Sequence, residues 1–266
     1  MARLAAYAAQ DKNGIAGSAD RAVAAAPPSR VSLWTPAMAV VDQGAWGSCT
    51  AFAARYAILG SIAYAAALVN PSSPAPLPAD ISTAWLYARS RNDLRLPLNQ
   101  DTGSTNAATV GVVAGVGTVG AAAVPYWAKN VLLSPTNATS VLATPPNNTP
   151  PHAFSRVLYG STAAVTLANF KAALASGKFV VVAIQCFASM MTTAVFISGV
   201  IPLPSRADVT QGSVGGHAIA LCGYDDASET FRFANSWGAC TGDAGFFTIP
   251  YAYITNRAYA GDAWAY

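Results

Sequence analysis

Two hydrophobic patterns divide the chain. Up to about residue 133 the apolar positions fall in long alanine-rich runs of helical length. From about residue 153 they gather into short runs separated by turn residues. The stretch from Cys49 to about Val69, "CTAFAARYAILGSIAYAAALV", predicts a long buried helix that Asn70-Pro71 stops. After the rigid "PSSPAPLPAD", the run "ISTAWLYARSRND" predicts a second helix. Residues 107–124 predict a buried helix followed by a turn and a strand. Further on, "TLANFKAALASGK" reads as an amphipathic helix ending at Gly177, and "FVVVAIQCF" as a buried strand. Three β-like runs follow, "HAIALCGYDD", "TFRFANSW" and "GFFTIPY", and their turn-separated spacing predicts an antiparallel sheet.

The expected architecture is therefore α+β with two lobes sharing a cleft: a helical lobe over about 31–133 and a β lobe over about 153–266. A proline-, asparagine- and threonine-rich surface loop at about 134–152 is the natural seam. Residues 1–30 read as a lead-in closed by "AAAPPSR", and the very short apolar run in "MARLAAYAAQ" is a weak match to a secretory signal and assigns no compartment. No repeat of fixed period is present.

At 266 residues the chain can bury a substantial core. It is 53% hydrophobic and only 10% charged, which places it among folded rather than disordered sequences. The net charge of +3 comes from scattered lysines and arginines, so neither nucleic acid nor a membrane surface is expected as a partner. The uncharged stretch at 107–124 approaches bilayer-spanning length, but it is made of Gly, Ala, Val and Thr and has no Leu, Ile or Phe.

Four cysteines are present: Cys49, Cys186, Cys222 and Cys240. None forms a C-x-x-C pair, so a zinc or redox site is not expected, and no metal or cofactor is implied. Cys186 and Cys222 lie in strand-like apolar runs and read as small buried hydrophobes; Cys240, in a glycine-rich loop, takes no assignment. Cys49 differs. It follows Gly47-Ser48 at the start of a helix, where the dipole favours a thiolate.

A thiol nucleophile needs a base, a group to orient that base, and donors for an oxyanion. Of the two histidines, His152 follows Pro150-Pro151 in the seam loop and reads as solvent-exposed. His217, at the entry to a strand and directly after Gly215-Gly216, is the better base, although a satisfied core histidine would occupy the same kind of position. Asn235 in "FANSWG" ends a strand, where its side-chain oxygen could fix the imidazole tautomer, with Trp237 shielding that bond from water. Gln43, six residues before Cys49, could join the Cys49 N–H as an oxyanion donor.

Taken together, "QGAWGSC", "GGHAIALCGYDD" and "ANSWG…GDAGFFTIP" resemble the Gln-Cys, His and Asn blocks of the papain-like cysteine peptidases, over roughly residues 31–255. The His block is similar to cathepsin B-like members, and "IPYAYI" to compact bacterial and viral relatives. Weaker echoes are "DTGS", "VPY" at 124–126 and "ISGVIPLP". Cys49 and His217 are 168 residues apart, somewhat beyond the spacing of about 130–150 expected for such sites, and the seam loop can hold the excess.

The resemblance implies a papain-like fold and peptide-bond hydrolysis of a peptide or protein substrate. Cys49, His217, Asn235 and Gln43 would be catalytic; Gly103, Gly216 and Trp237 would contact substrate. Thr50 replaces an aromatic, Thr241 replaces a frequent second tryptophan, and Trp46 replaces a cysteine that in many members forms a disulfide. No His-His occluding loop appears, so endopeptidase action is the default. The stretch before Cys49 is shorter than the usual inhibitory prodomain. A silent peptide-binding relative and acyl transfer on the same thiol remain open alternatives.

Overall fold

The computed structural model describes residues 27–35, 38–71, 79–126, 135–147 and 154–266. Helix α1 (Cys49–Val69) is its axis. Residues Thr50–Gly60 of α1 are all buried, which explains why hydrophobicity runs around the whole helix rather than along one stripe. It is long and apolar enough to cross a membrane, but most of it is buried inside the protein. The helix stops at Asn70, next to Pro71.

Helix α2 (Thr83–Asp93) starts under a Ser82 cap that accepts from Trp85 N–H, and α3 (Asn106–Gly115) under a Thr105 cap that accepts from Ala108 N–H. At ten residues α3 is too short to span a bilayer. Both pack with α1. The stretch expected to be a seam loop is only partly one, since Pro135–Ala143 winds into helix α4 packed on α2. Thr144 then accepts from Trp85 Nε1 (3.2 Å), and Asn147 Oδ1 accepts from Gly120 N (2.8 Å). His152 lies outside the described residues, as does the lead-in before residue 27.

The rest builds one seven-stranded antiparallel sheet from β1 (Arg30–Ser32), β2 (Ser155–Arg156), β3 (Val180–Cys186), β4 (Gly215–Asp225), β5 (Thr230–Ala234), β6 (Phe246–Pro250) and β7 (Ala260–Ala265). The order is β2-β7-β3-β4-β5-β6, with β1 on the far end of β4. Helix α5 (Ala163–Ala175) precedes β3 and ends at Gly177, whose φ of 82° is left-handed. Between β3 and β4 the chain makes a 3₁₀ turn (Ala188–Met191) and two short helices, α6 (Thr193–Ser198) and α7 (Arg206–Gln211). Helix α8 (Tyr251–Ile254) follows β6.

Helix α1 lies chiefly on β4. Gly60 permits its closest approach: a Cβ there would fall 2.4–2.8 Å from ring atoms of Phe179, which is fully buried just before β3. One hydrophobic core runs continuously from the helices into the sheet. The packing brings two chain features together, the N-terminus of α1 and the start of β4.

Candidate active site

Cys49 is the first residue of α1 and is half-buried. Its sulfur faces backbone N–H groups of Cys49, Thr50 and Ala218; Ala218 is the residue after His217. Cys49 and Ala218, 169 positions apart in sequence, are therefore neighbours in the fold. Burial dominates and pushes the thiol up; the three N–H groups pull it down, and the Asp101 carboxylate adds a smaller upward push.

His217 is buried in β4. Its Nε2 lies 2.8 Å from Asn235 Oδ1, just beyond the end of β5. The same oxygen accepts from Ser236 N–H at 2.9 Å, which identifies that atom as the amide oxygen. Nε2 must then be the donor, so Nδ1 is the nitrogen left to exchange a proton with another group. Trp237 stacks on the imidazole, with ring centroids 5.0 Å apart and planes 19° apart, and is packed in turn by Phe196 and Phe247. Burial pulls His217 down to about 4, opposed by its bond to Asn235.

Gln43 is buried beside them. Its Oε1 accepts from Ser236 Oγ, its N–H donates to Ser236 O (2.9 Å), and its Nε2 donates to Trp46 O (2.5 Å). With Oε1 held by a hydroxyl donor, the side-chain nitrogen is fixed towards the nucleophile loop, and one of its two hydrogens is still available. An antiparallel bridge between Asp42 and Trp237 ties this loop to the Asn235 loop.

Tyr126, in the "VPY" segment, buttresses the same loop. Its hydroxyl donates to Gln43 O (2.6 Å) and so must accept from Ser48 Oγ (2.6 Å). Ser48, the N-cap of α1, thus spends its side chain on Tyr126 and does not cap the helix. The opposite wall is Gly103, with φ 75°, whose N–H donates to Tyr87 Oη at 3.1 Å. Gly216 is exposed at the rim, and a Cβ there would meet only Ile184 O, at 4.0 Å.

Of the residues expected from sequence, His217, Asn235, Gln43 and Trp237 are linked to one another directly, through Ser236 and through the Asp42–Trp237 bridge, and Cys49 lies against Ala218, the residue after His217. Gly103 lies against Gly47, and Gly216 directly precedes His217. Tyr87 carries no local sequence signal, while Asp101 and Ser236 lie in "DTGS" and "ANSWG" but bond to residues distant in the chain, so the motifs do not reveal their supporting roles. Cys186 and Cys222 are buried as expected, Cys240 is exposed, and all four cysteines are free. Among the described residues no group of three or more His, Cys, Asp or Glu is placed to hold a metal ion.

A sulfur at a helix N-terminus, set against the strand that carries an amide-oriented imidazole and lying between a helical layer and an antiparallel sheet, fits the class of two-lobed thiol hydrolases. The model of the papain family of cysteine proteases matches residues 100–260, more than half of the chain and including His217 and Asn235, and the chain belongs to that family. It is similar to xylellain, a cysteine protease from Xylella fastidiosa, at 28% identity over 94% of this chain and 90% of that one, with a TM-score of 0.71. A digestive procathepsin L 3 from Tenebrio molitor larval midgut shares the fold at 18% identity, over 94% of this chain and 71% of that one, with a TM-score of 0.59. An uncharacterized peptidase C1-like protein, L477, of Acanthamoeba polyphaga mimivirus is 33% identical over 96 residues; the match spans 36% of this chain and 30% of that relative.

Proposed function

We propose that this chain hydrolyses internal peptide bonds, with Cys49 as nucleophile, His217 as acid and base, and Asn235 as the residue that orients the imidazole. The observation that carries this reading is the held tautomer: Asn235 Oδ1 fixes Nε2–H of His217 and frees Nδ1 for the thiol. Burial opposes a thiolate alone and an imidazolium alone. Moving one proton from Sγ to Nδ1 creates both charges together, so that their attraction offsets the two separate desolvation costs.

The thiolate then attacks the substrate carbonyl carbon. The oxyanion is received by the Cys49 N–H and the remaining amide hydrogen of Gln43. Imidazolium His217 protonates the leaving amine, and the thioester is hydrolysed by water that gives its proton back to His217. Gly103 and Gly216 offer backbone to an extended substrate on opposite rims of the groove, and Trp237 borders the leaving-group side while keeping water off the His217–Asn235 bond. Residues 31–266 act as the peptidase unit, on a peptide or protein substrate.

The test is treatment with an epoxide inhibitor of thiol proteases under reducing conditions, followed by peptide mapping, beside cleavage of a peptide blocked at both ends. One adduct on Cys49 and internal cleavage are expected, both abolished in Cys49→Ala. An unmodified Cys49 in folded protein would leave a peptide-binding groove without turnover. Capture of an added amine in excess of hydrolysis would point to acyl transfer.

A further inference from the structure

Asp101 is an exposed carboxylate between the nucleophile loop and the Gly103 wall. Both of its oxygens face Gly47 N–H, Oδ1 at 3.2 Å and Oδ2 at 2.9 Å, two residues before Cys49. Oδ1 also accepts from the Tyr87 hydroxyl, and that hydroxyl accepts from Gly103 N–H. The two backbones touch: a Cβ on Gly47 would sit 3.2 Å from Gly103 Cα and 3.2 Å from Asp101 Oδ1.

The platform beneath is helical. Tyr87 and Arg91 are one turn apart on α2 and project from one face. Arg91, fully buried, donates from Nη2 to the carbonyls of Pro97 and Gln100 and so fixes the loop that presents Asp101. A negative charge here works against a thiolate at Cys49. Its presence calls for a benefit of another kind, and the geometry supplies one.

We propose that Asp101, linked through Tyr87, is a positioning residue that locks the Gly103 wall to the Cys49 loop, keeping a bound peptide in register with the sulfur. This rests on the reading of Cys49 as nucleophile. With Gly103 read as a peptide-binding wall, an extended substrate lies along it and a small alkylating agent does not, so the clamp acts on one and not on the other. A misplacement of about 1 Å costs on the order of 100-fold in rate.

The experiment compares wild type, Asp101→Ala, Asp101→Asn and Tyr87→Phe, each checked for an intact melting transition. It measures kcat/KM on a peptide and the rate at which iodoacetamide alkylates Cys49. For Asp101→Ala and Tyr87→Phe, peptide kcat/KM should fall by about 10–100-fold while alkylation is no slower than in wild type. Asp101→Asn should recover part of the lost peptide turnover, because its amide oxygen can take both bonds that Oδ1 accepts while the 2.9 Å bond of Oδ2 to Gly47 N–H is given up. Turnover near wild type in Asp101→Ala, alkylation slowed in proportion to turnover, or an Asn variant no better than Ala would each overturn the clamp. A wild-type protein that neither cleaves peptide nor reacts at Cys49 would overturn the active-site reading itself, and the clamp with it.

Discussion

His217 is held by geometry in one tautomer and by burial in its neutral form when the thiol partner is missing. In Cys49→Ala no sulfur can share the proton, so the imidazole should titrate near 4 against about 6.5 in an unfolded chain. Between those values the unfolded chain binds the extra proton and the folded one does not. Stability is therefore full above about pH 6.5 and declines as pH falls towards 4, by up to about 3 kcal/mol from this group. Urea unfolding of Cys49→Ala at pH 7, 5.5 and 4.5 should show the decline, and adding His217→Gln should flatten it; equal pH slopes in the two proteins would refute it. The chain has two histidines, so an NMR titration can read His217 directly. A second expectation concerns Asn235. Asn235→Ala leaves Nε2–H without its acceptor and the imidazole free to turn. Peptide kcat/KM should drop about 10–1000-fold, while the protein still forms the epoxide adduct on Cys49 slowly. These residues were readable in the sequence because each sits in a block of local pattern: Gly-Gly before His217, "NSWG" around Asn235, Gly-Ser before Cys49. Tyr87 has no such block, and the weaker echoes "DTGS" and "VPY" do not reveal what Asp101 and Tyr126 bond to. Their partners lie 14, 54 and 83 residues away, and only the fold brings them together.

Elements were legible where their own residues decide them. Helix α1 runs over the predicted Cys49–Val69, since alanine and leucine favour a helix and Asn70-Pro71 ends it. Strands β3 to β6 fall in the four apolar runs. Strand β7, "AGDAWA", was not anticipated, because Gly, Ala and Asp are poor strand formers; pairing with β3 holds it there. Helix α4 was masked in the same way by surrounding Pro and Asn. The contact of α1 with β3 is where element packing can be tested. Gly60→Ala would gain about 1 kcal/mol of helix propensity. The new methyl, however, would overlap the ring of fully buried Phe179, and overpacking costs about 1–3 kcal/mol. Overpacking wins, so Gly60→Ala should lower the urea midpoint. Adding Phe179→Leu should make the glycine substitution less harmful than it is alone. If Gly60→Ala stabilises the protein, the ring has room to move and the close packing is not limiting.

At the scale of the whole molecule, the sheet and the helical layer must stay aligned or the groove between them loses its shape. The sequence predicted two layers with a cleft, but it was silent on what stitches them together. Asp262 is one such stitch. It lies in β7 at the point where the register against β3 slips between Val181 and Ala183, and its φ is 47°. A bulge accounts for that backbone, and for a non-glycine residue it is strained. What holds it is two cross-layer bonds and one within β7: Oδ2 accepts from Ala107 N (3.1 Å), the Asp262 carbonyl accepts from Asn106 Nδ2 (3.0 Å), and within the strand Oδ1 accepts from Trp264 Nε1 (2.7 Å). The carboxylate thus meets the first turn of α3, where the helix dipole favours negative charge. Three substitutions separate these contributions. Asp262→Asn gives up the charge and keeps one acceptor oxygen, so it holds one of the two N–H donors. Asp262→Gly relieves the strain and loses the side-chain bonds. Asp262→Ala loses those bonds and retains the strain, so the order of melting temperatures should be wild type, Asn, Gly, Ala. The loss in Ala should be about 2–4 kcal/mol, from two bonds to a charged group. Because Asn106 and Ala107 follow directly on the 103–105 wall segment, the Ala variant should also lose peptide turnover more than it loses iodoacetamide reactivity. A glycine variant more stable than wild type would mean that backbone strain outweighs the stitch, and that the two layers are aligned by core packing alone.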